Sequence, residues 1–376
     1  MEIRNVESLK AKVSLLGFGL MRLPVLGGDK SKIDYPQAEK MLDMAFRGGI
    51  NYFDTAYPYH EGKSEVFVGD VLSRRDRSSY YLASKMPTWE LAKSEDDVKR
   101  IFDEQLKKCK TGYFDFYLAH SFDPEHFERF KRLRMYDFLR KKKEEGCIRR
   151  LGFSFHSNPD LLAQIVEGYE WEFAQIQLNY VDWDLLNAGR FYEYLEAHKL
   201  PIIVMEPVRG GALASLNERA AGILRAARPG ASLASWAIRF AASLPYVMTV
   251  LSGMSNVEQM ADNLKTFDPF EPLSPEEQKT VQRAAQAFND SGTIPCTACR
   301  YCMDCPAGVN IPVVFRQYNH YQLNKKRDVF DNTYRYLPEK EKAHNCVSCG
   351  ACVKLCPQGI DIPRFMGEIA AFAAGA

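Results

Sequence analysis

Eight short apolar runs recur along the first 253 residues, separated by stretches of helical period. They are VSLLGFG (13–19), INYFDTA (50–56), YYLASKM (80–86), FDFYLAH (114–120), RRLGFSF (149–155), FAQIQLN (173–179), PIIVMEP (201–207) and YVMTVLSG (246–253). Near-continuous apolar runs of this length suit parallel strands covered on both faces. Between them, Tyr35 to Arg47 carries Ala38, Met41, Leu42 and Ala45 at helical spacing and stops at Gly48-Gly49. Glu95 to Lys110 sets Val98, Ile101, Phe102, Leu106 and Cys109 on one stripe, and Ser157-Asn158-Pro159 caps a helix ahead of Leu161. Eight such alternations predict an α/β chain folded as a (β/α)8 barrel. The competing doubly wound sheet usually opens with GxGxxG, and 17-GFGLMR-22 lacks the third glycine.

The barrel is expected over residues 1–267, a linker and helix over 268–289, and a small α-rich ferredoxin-like domain over 290–376. The stretch 268-DPFEPLSPEEQ-278, with three prolines, leads into a helix starting near Ser274, and 311–330 reads as helical. Formal net charge is +1, with acids and bases interspersed, so nothing demands a nucleic-acid or membrane partner. The basic run 140-RKKKEEG-146 ends in two glutamates and reads as a solvated helix end. An N-terminus without an apolar h-region, and no run of membrane-spanning length, point to the cytoplasm.

Eight of the ten cysteines fall in 296-CTACRYCMDCP-306 and 346-CVSCGACVKLCP-357. In a reducing compartment such clusters point to metal rather than disulfides. The second run has the bacterial ferredoxin spacing, in which the cysteine before proline ligates the other cluster. One [4Fe–4S] cluster is therefore expected on Cys296, Cys299, Cys302 and Cys356, and another on Cys346, Cys349, Cys352 and Cys305. Cys302 and Cys305 are separated by two residues rather than three, a departure from the pattern. Structural zinc is the alternative; it needs only four ligands. Cys109 and Cys147 read as helix-packing residues.

Four polar residues stand at or just after successive strand ends: Asp54, Tyr59, Lys85 and His120. In a barrel those ends ring one mouth, where chemistry is done. An ammonium beside a tyrosine lowers its pKa, a carboxylate holds that ammonium, and a histidine can donate to a substrate oxygen. Singly, each has a plainer reading: a satisfied core histidine, a lysine leaving for solvent, a rim aromatic. Trp89 and Trp183 are open between pocket lining and packing.

Over residues 1–267 the stretches GFGLMRLP, NYFDTAYPYHEGKSE, LASK, FDFYLAH, LGFSFH, AQIQLNY, VMEPVRGGAL and SGMSNVEQMADNL resemble, in order, the aldo-keto reductases. The branch with a C-terminal ferredoxin-like domain is the most similar. The resemblance implies a tetrad of Asp54, Tyr59, Lys85 and His120, with NADH or NADPH giving hydride to a carbonyl carbon and Tyr59 protonating its oxygen. It implies cofactor contacts from Gly19 and Met21 in the opening loop, Ser154 and Gln175 at the carboxamide, and Asn263 near the adenine. Phe155 stands where the family often has asparagine, and Met205 where an aromatic stacks on nicotinamide. Gly253 and Gln259 occupy the places of the cations that grip a 2′-phosphate, which predicts a weak preference or one tilted to NADH. Glu206 and Arg209 flank the same region, and Arg209 is a candidate for the pyrophosphate.

Two functions follow: a nicotinamide-dependent oxidoreductase acting on a small aldehyde, ketone or alcohol, or an iron–sulfur electron-transfer or partner-docking protein on a barrel with weakened nicotinamide binding. Clusters that feed the active site, and a redox partner protein, would join the two. Clusters carry single electrons and a hydride carries two, so that coupling needs a flavin or a radical step. No motif marks a flavin, and it stays open. The clusters are equally able to serve as structural ligation.

Overall fold

A computed structural model describes residues 1–375, with Asn324 described by its backbone alone. An antiparallel hairpin, β1 (Ile3–Val6) and β2 (Ala11–Ser14), comes first. Eight parallel strands follow: β3 (Leu16–Gly19), β4 (Tyr52–Asp54), β5 (Tyr81–Pro87), β6 (Phe116–Phe122), β7 (Leu151–Phe155), β8 (Phe173–Gln177), β9 (Ile202–Met205) and β10 (Val247–Ser252). They close a barrel in chain order, with β10 pairing back to β3. All eight expected strands are present, but the first run is divided. Leu15 separates β2 from β3: its N–H donates to Glu2 O at 2.9 Å and its carbonyl accepts from Val250 N at 2.8 Å. At that residue the chain leaves hairpin pairing for barrel pairing, so VSLLGFG is not one strand.

The hairpin supplies Leu9, Ala11 and Val13 to one apolar cluster with the barrel residues Tyr52, Ala83, Phe116, Leu118, Phe173, Ile203, Met248 and Leu251. Tyr52, Phe116 and Phe173 meet edge to face, with ring centroids 5.1 and 5.2 Å apart. Side chains alternate along a strand, so the residue two positions on from each core residue faces the same interior. From Tyr52, Ala83, Leu118, Phe173 and Ile203 that step reaches Asp54, Lys85, His120, Gln175 and Met205. A polar layer thus lies toward the strands' C-terminal ends from an apolar floor.

Local capping sets the helices around it. Asp34 caps Tyr35–Arg47, a Ser94/Asp97 capping box starts Glu95–Lys108, and Asn158 accepts from Leu161 N at 3.0 Å. Gly69 lets Lys63–Val71 lie directly on the end of Glu95–Lys108; a Cβ there would fall 2.0 Å from Lys108 O.

The chain divides into two compact units, residues 1–207 with 237–274, and residues 208–236 with 275–376. In the second, helix Glu218–Ala227 packs on Pro275–Asn289, where Asn217 donates to Ala287 O at 2.9 Å. Ile311–Asn324, Arg327–Arg335 and Ile362–Ala373 share a core that includes Val314, Phe315, Phe330, Met366 and Ile369. The expected helical stretch 311–330 is thus two helices, broken where Lys325 turns left-handed at φ 57°. Among the described residues no helix is long and apolar enough to cross a membrane.

Gly69→Ala is expected to destabilise the fold by about 1–3 kcal/mol, because backbone must move to admit the methyl. Gly222→Ala, in a helix with nothing within 4 Å of the added carbon, should instead stabilise by about 0.5–1 kcal/mol. Chemical denaturation of both variants reads this; equal stability would mean that the helices at Gly69 are not in contact.

Candidate active site and cysteine cavities

Lys85 lies on β5, wholly buried, and its Nζ donates to Asp54 Oδ1 and, at 2.8 Å, to Thr55 O. Nζ is 5.0 Å from the centroid of the Tyr59 ring, and that ring meets His120 edge-on at 5.9 Å. Asp54, Tyr59, Lys85 and His120 are therefore brought together, each 9% exposed or less. Tyr59 is not on a strand. It sits in the turn after β4, where His60, Glu61 and Gly62 are all left-handed. His60 fixes that turn: its Nε2 accepts from Leu23 N at 3.1 Å, so Nδ1 carries the hydrogen donated to Lys30 O at 2.9 Å.

Burial raises the Asp54 carboxyl and lowers the Lys85 ammonium, and the attraction between them opposes both shifts. His120 is held well below the ordinary imidazole range, first by burial and then by the charge of Lys85. It is a neutral imidazole at neutral pH.

A second carboxylate stands behind Lys85. Glu65 Oε1 accepts from Ser84 Oγ at 2.7 Å and from Gln105 Nε2 at 2.6 Å. Gln105 Nε2 also reaches Lys85 O at 3.0 Å, and Gln105 Oε1 accepts from Tyr117 OH. Glu65 adds to the field holding Lys85 charged, while burial raises its own pKa. The sequence carried a signal for Glu65, a carboxylate at helical spacing with Val68 and Leu72. On the next helix it is Gln105 rather than Leu106 that is fully buried.

Three buried polar atoms of this layer have no hydrogen-bond partner: Asp54 Oδ2, His120 Nδ1 and Gln175 Oε1. Buried polar groups are rarely left so unless a ligand or water completes them. Gln175 Nε2 meets Met205 Sδ at 3.5 Å, which leaves Oε1 an acceptor suited to a carboxamide N–H. Ser154 Oγ accepts from Ser121 N at 2.7 Å. Asp54 pairs with Gly19 across the ladder, and a Cβ on Gly19 would lie 3.5 Å from Ser252 O, an ordinary contact. Asn263 donates to Ser252 Oγ at 2.6 Å, and the exposed Gln259 turns its Oε1 to Ser255 N at 2.8 Å. Met21 is half-buried just beyond β3. Gly253 has a cationic neighbour that sequence reasoning missed. A Cβ on it would sit 3.3 Å from Arg22 Cδ, and the Arg22 guanidinium pairs with Glu206 at 3.3 Å. The signal was the arginine of GFGLMRLP, three residues past the end of β3. Arg209 is 2% exposed in the second unit, where its charge acts on Cys296.

The cysteines border two cavities in that unit. One is lined by Cys296, Cys299, Cys302 and Cys356. The other is lined by Cys305, Cys346, Cys349 and Cys352, with Cys302 also on its wall. These are the crossed sets. Among the described residues no three His, Cys, Asp or Glu side chains close in on a single-ion site. Thiols arranged around a space, rather than converging on a point, fit a cluster better than one zinc. Burial pushes Cys296 and Cys302 up to about 12, so the thiolates need a cationic group to form.

Residues 15–286 match the Aldo/keto reductase family model, and residues 295–360 match the 4Fe-4S dicluster domain model. An uncharacterized oxidoreductase, YqkF, of Bacillus subtilis is 26% identical over 316 residues, covering 75% of this chain and 96% of its own. L-galactose dehydrogenase of Arabidopsis thaliana is 24% identical, over 74% of this chain and 91% of its own. The holo form of aldo-keto reductase AKR11C1 from Bacillus halodurans superposes with a TM-score of 0.61 at 28% identity, covering 76% of this chain and 97% of that one. An aldo-keto reductase of Klebsiella pneumoniae in complex with NADP and acetate has the same fold, with a TM-score of 0.57 at 22% identity over 73% of this chain and 92% of that one. The chain belongs to the aldo/keto reductase family of oxidoreductases and carries a 4Fe-4S dicluster domain C-terminal to it.

Proposed function

We propose that the barrel reduces a small aldehyde or ketone, or oxidises the matching alcohol, with a nicotinamide, and that the C-terminal segment holds two [4Fe–4S] clusters on the crossed cysteine sets. The observation that carries the reading is the buried Lys85–Asp54 pair beneath the Tyr59 ring. A nicotinamide bound at the mouth supplies the hydride that reaches the carbonyl carbon. Tyr59 gives its hydroxyl proton to the carbonyl oxygen, so the product is the alcohol. The Lys85 ammonium lowers the cost of the phenolate left behind. Asp54 keeps that ammonium in place and offsets part of its burial penalty. His120, being neutral, donates an N–H to the substrate oxygen without competing as the acid. Gln175 Oε1 and Ser154 orient the carboxamide. Arg22 lies against Gly253, but Glu206 compensates its charge, so the preference for a 2′-phosphate stays weak.

Tyr59→Phe should lower kcat for carbonyl reduction by at least about 10²–10⁴-fold while leaving nicotinamide Kd within a few-fold. The wild-type protein should accept NADH at least as well as NADPH. Undiminished turnover in the variant would remove Tyr59 from its role, and a strong NADPH preference would show that Arg22 is available to the phosphate.

The pH dependence follows from His120. Its folded pKa lies below the unfolded value of about 6.5. As pH falls through that value the unfolded chain takes up a proton that the folded site refuses. Stability is therefore unaffected by His120 above about pH 6.5 and is lost progressively below it. Denaturation between about pH 5 and 8 should show a steeper acid loss in the wild type than in His120→Gln. Parallel curves would mean that the imidazole is charged in the fold.

Protein purified without oxygen should carry about eight irons and equivalent sulfide, four per cubane. Cys356→Ala should damage the cluster of Cys296, Cys299 and Cys302 and spare the other. Zinc in place of iron and sulfide, or damage confined to the cluster of Cys346, Cys349 and Cys352, would refute the crossed ligation.

A further inference from the structure

The loop after β9 does something the nicotinamide reading does not use. Past Met205 the chain turns left-handed at Glu206, Arg209, Gly210 and Gly211, with φ of 54°, 52°, 64° and 97°. Left-handed backbone at a residue with a Cβ costs about 1–2 kcal/mol, so two such residues here point to a conformation fixed by its surroundings. At Glu206 they are Arg22 and Asn179; from Gly210 on they are the first cysteine run. A Cβ on Gly210 would fall 2.2 Å from Thr297 O and 2.9 Å from Thr297 C. Only glycine allows the backbone of residue 210 to lie on the peptide that follows Cys296-Thr297. Thr297 and Arg209 are each 2% exposed. Residues 208–236 and the cysteine runs belong to the same compact unit.

We propose that Arg209 is a charge-setting residue of the first cluster: the loop after β9 delivers its buried guanidinium beside Cys296, where it raises the reduction potential of the cluster held by Cys296, Cys299, Cys302 and Cys356. The inference rests on the reading that those cysteines hold a cluster. Reduction adds one negative charge to the cluster, and a fixed positive charge in a low-dielectric setting favours the more negative state. A guanidinium this buried is in turn stabilised by thiolate and cluster charge. The second run differs, since Cys349 is exposed and Val347 is 68% exposed. That cluster is the internal reference.

The test uses the full chain purified without oxygen, in the wild type and in Arg209→Met and Arg209→Lys, with iron and sulfide counted first. Each is titrated with dithionite while the reduced clusters are followed by electron paramagnetic resonance; Cys356→Ala identifies the first cluster's signal by its loss. Arg209→Met keeps the stem and removes the charge. At the wild-type midpoint the reduced-to-oxidised ratio of its first cluster should be at least tenfold lower, a shift of about 59 mV to the negative for a one-electron couple. The second signal should not move, and Arg209→Lys should restore most of the potential. Loss of the cluster in Arg209→Met but not in Arg209→Lys would also assign the role to charge. An unshifted potential in Arg209→Met with iron intact overturns the proposal, most directly if NADH binding weakens instead. Loss of the cluster from both variants overturns it in favour of packing. Wild-type protein without iron and sulfide would defeat the cluster reading itself, a different failure.

Discussion

Barrel closure imposes a layered interior, and the proposed chemistry depends on it. Each strand gives alternate residues to the inside, and parallel pairing holds neighbouring strands in register. A strand that places Ala83 in the apolar floor must place Lys85 one layer above, and a strand that places Leu118 there must place His120 above. Sequence separation is irrelevant to this convergence. The hairpin residues Leu9, Ala11 and Val13 fill the floor, so the polar layer has apolar packing on one side and the mouth on the other.

In that setting the charges take up defined roles. Lys85 is buried with one carboxylate in contact, at Asp54, and a second, Glu65, across the strand. Successive residues of β5 serve opposite sides: Lys85 faces in, while Ser84 faces the helices and hydrogen-bonds Glu65. Gln105 ties Glu65, Ser84 and the Lys85 carbonyl into one network. Low dielectric makes such a network stiff when satisfied and costly when broken. The atoms left without partners, on Asp54, His120 and Gln175, lie outside this network. In the proposed reaction, neutral His120 polarises the substrate oxygen and Lys85 eases loss of the tyrosine proton.

Much of this was legible before any coordinates, because period-two and period-3.6 patterns report burial directly. The eight strands follow from spacing; the expected tetrad rests on strand ends together with the family resemblance, and the expected crossed cysteine sets on the ferredoxin spacing. What the sequence did not reveal depended on contacts between distant segments. The break at Leu15 comes from pairing with Glu2 and Val250. Arg22 was unremarkable in GFGLMRLP until its stem lay on Gly253, the position where a cation had been sought along the chain rather than across it. Arg209 was read by alignment with a nucleotide loop, and its burial beside Cys296 could not be seen from residues so far apart.

Gly210 and Thr297 are far apart in sequence, yet the backbone of one lies on the carbonyl of the other. Such an approach constrains evolution of both segments. A side chain at 210 would displace the start of the first cysteine run. Thiolate ligation contributes folding energy to small domains, so under the proposed cluster reading the contact links the loop after β9 to the metal content of the cysteine-rich segment. The helices of that segment have an apolar core of their own, built on Val314, Phe315, Phe330, Met366 and Ile369. Under the proposed cluster reading the division of labour is physical: helices held by apolar burial form a base, and the cysteine loops, which contain the left-handed Ala298, Arg300 and Ser348, take their shape from what the thiolates bind.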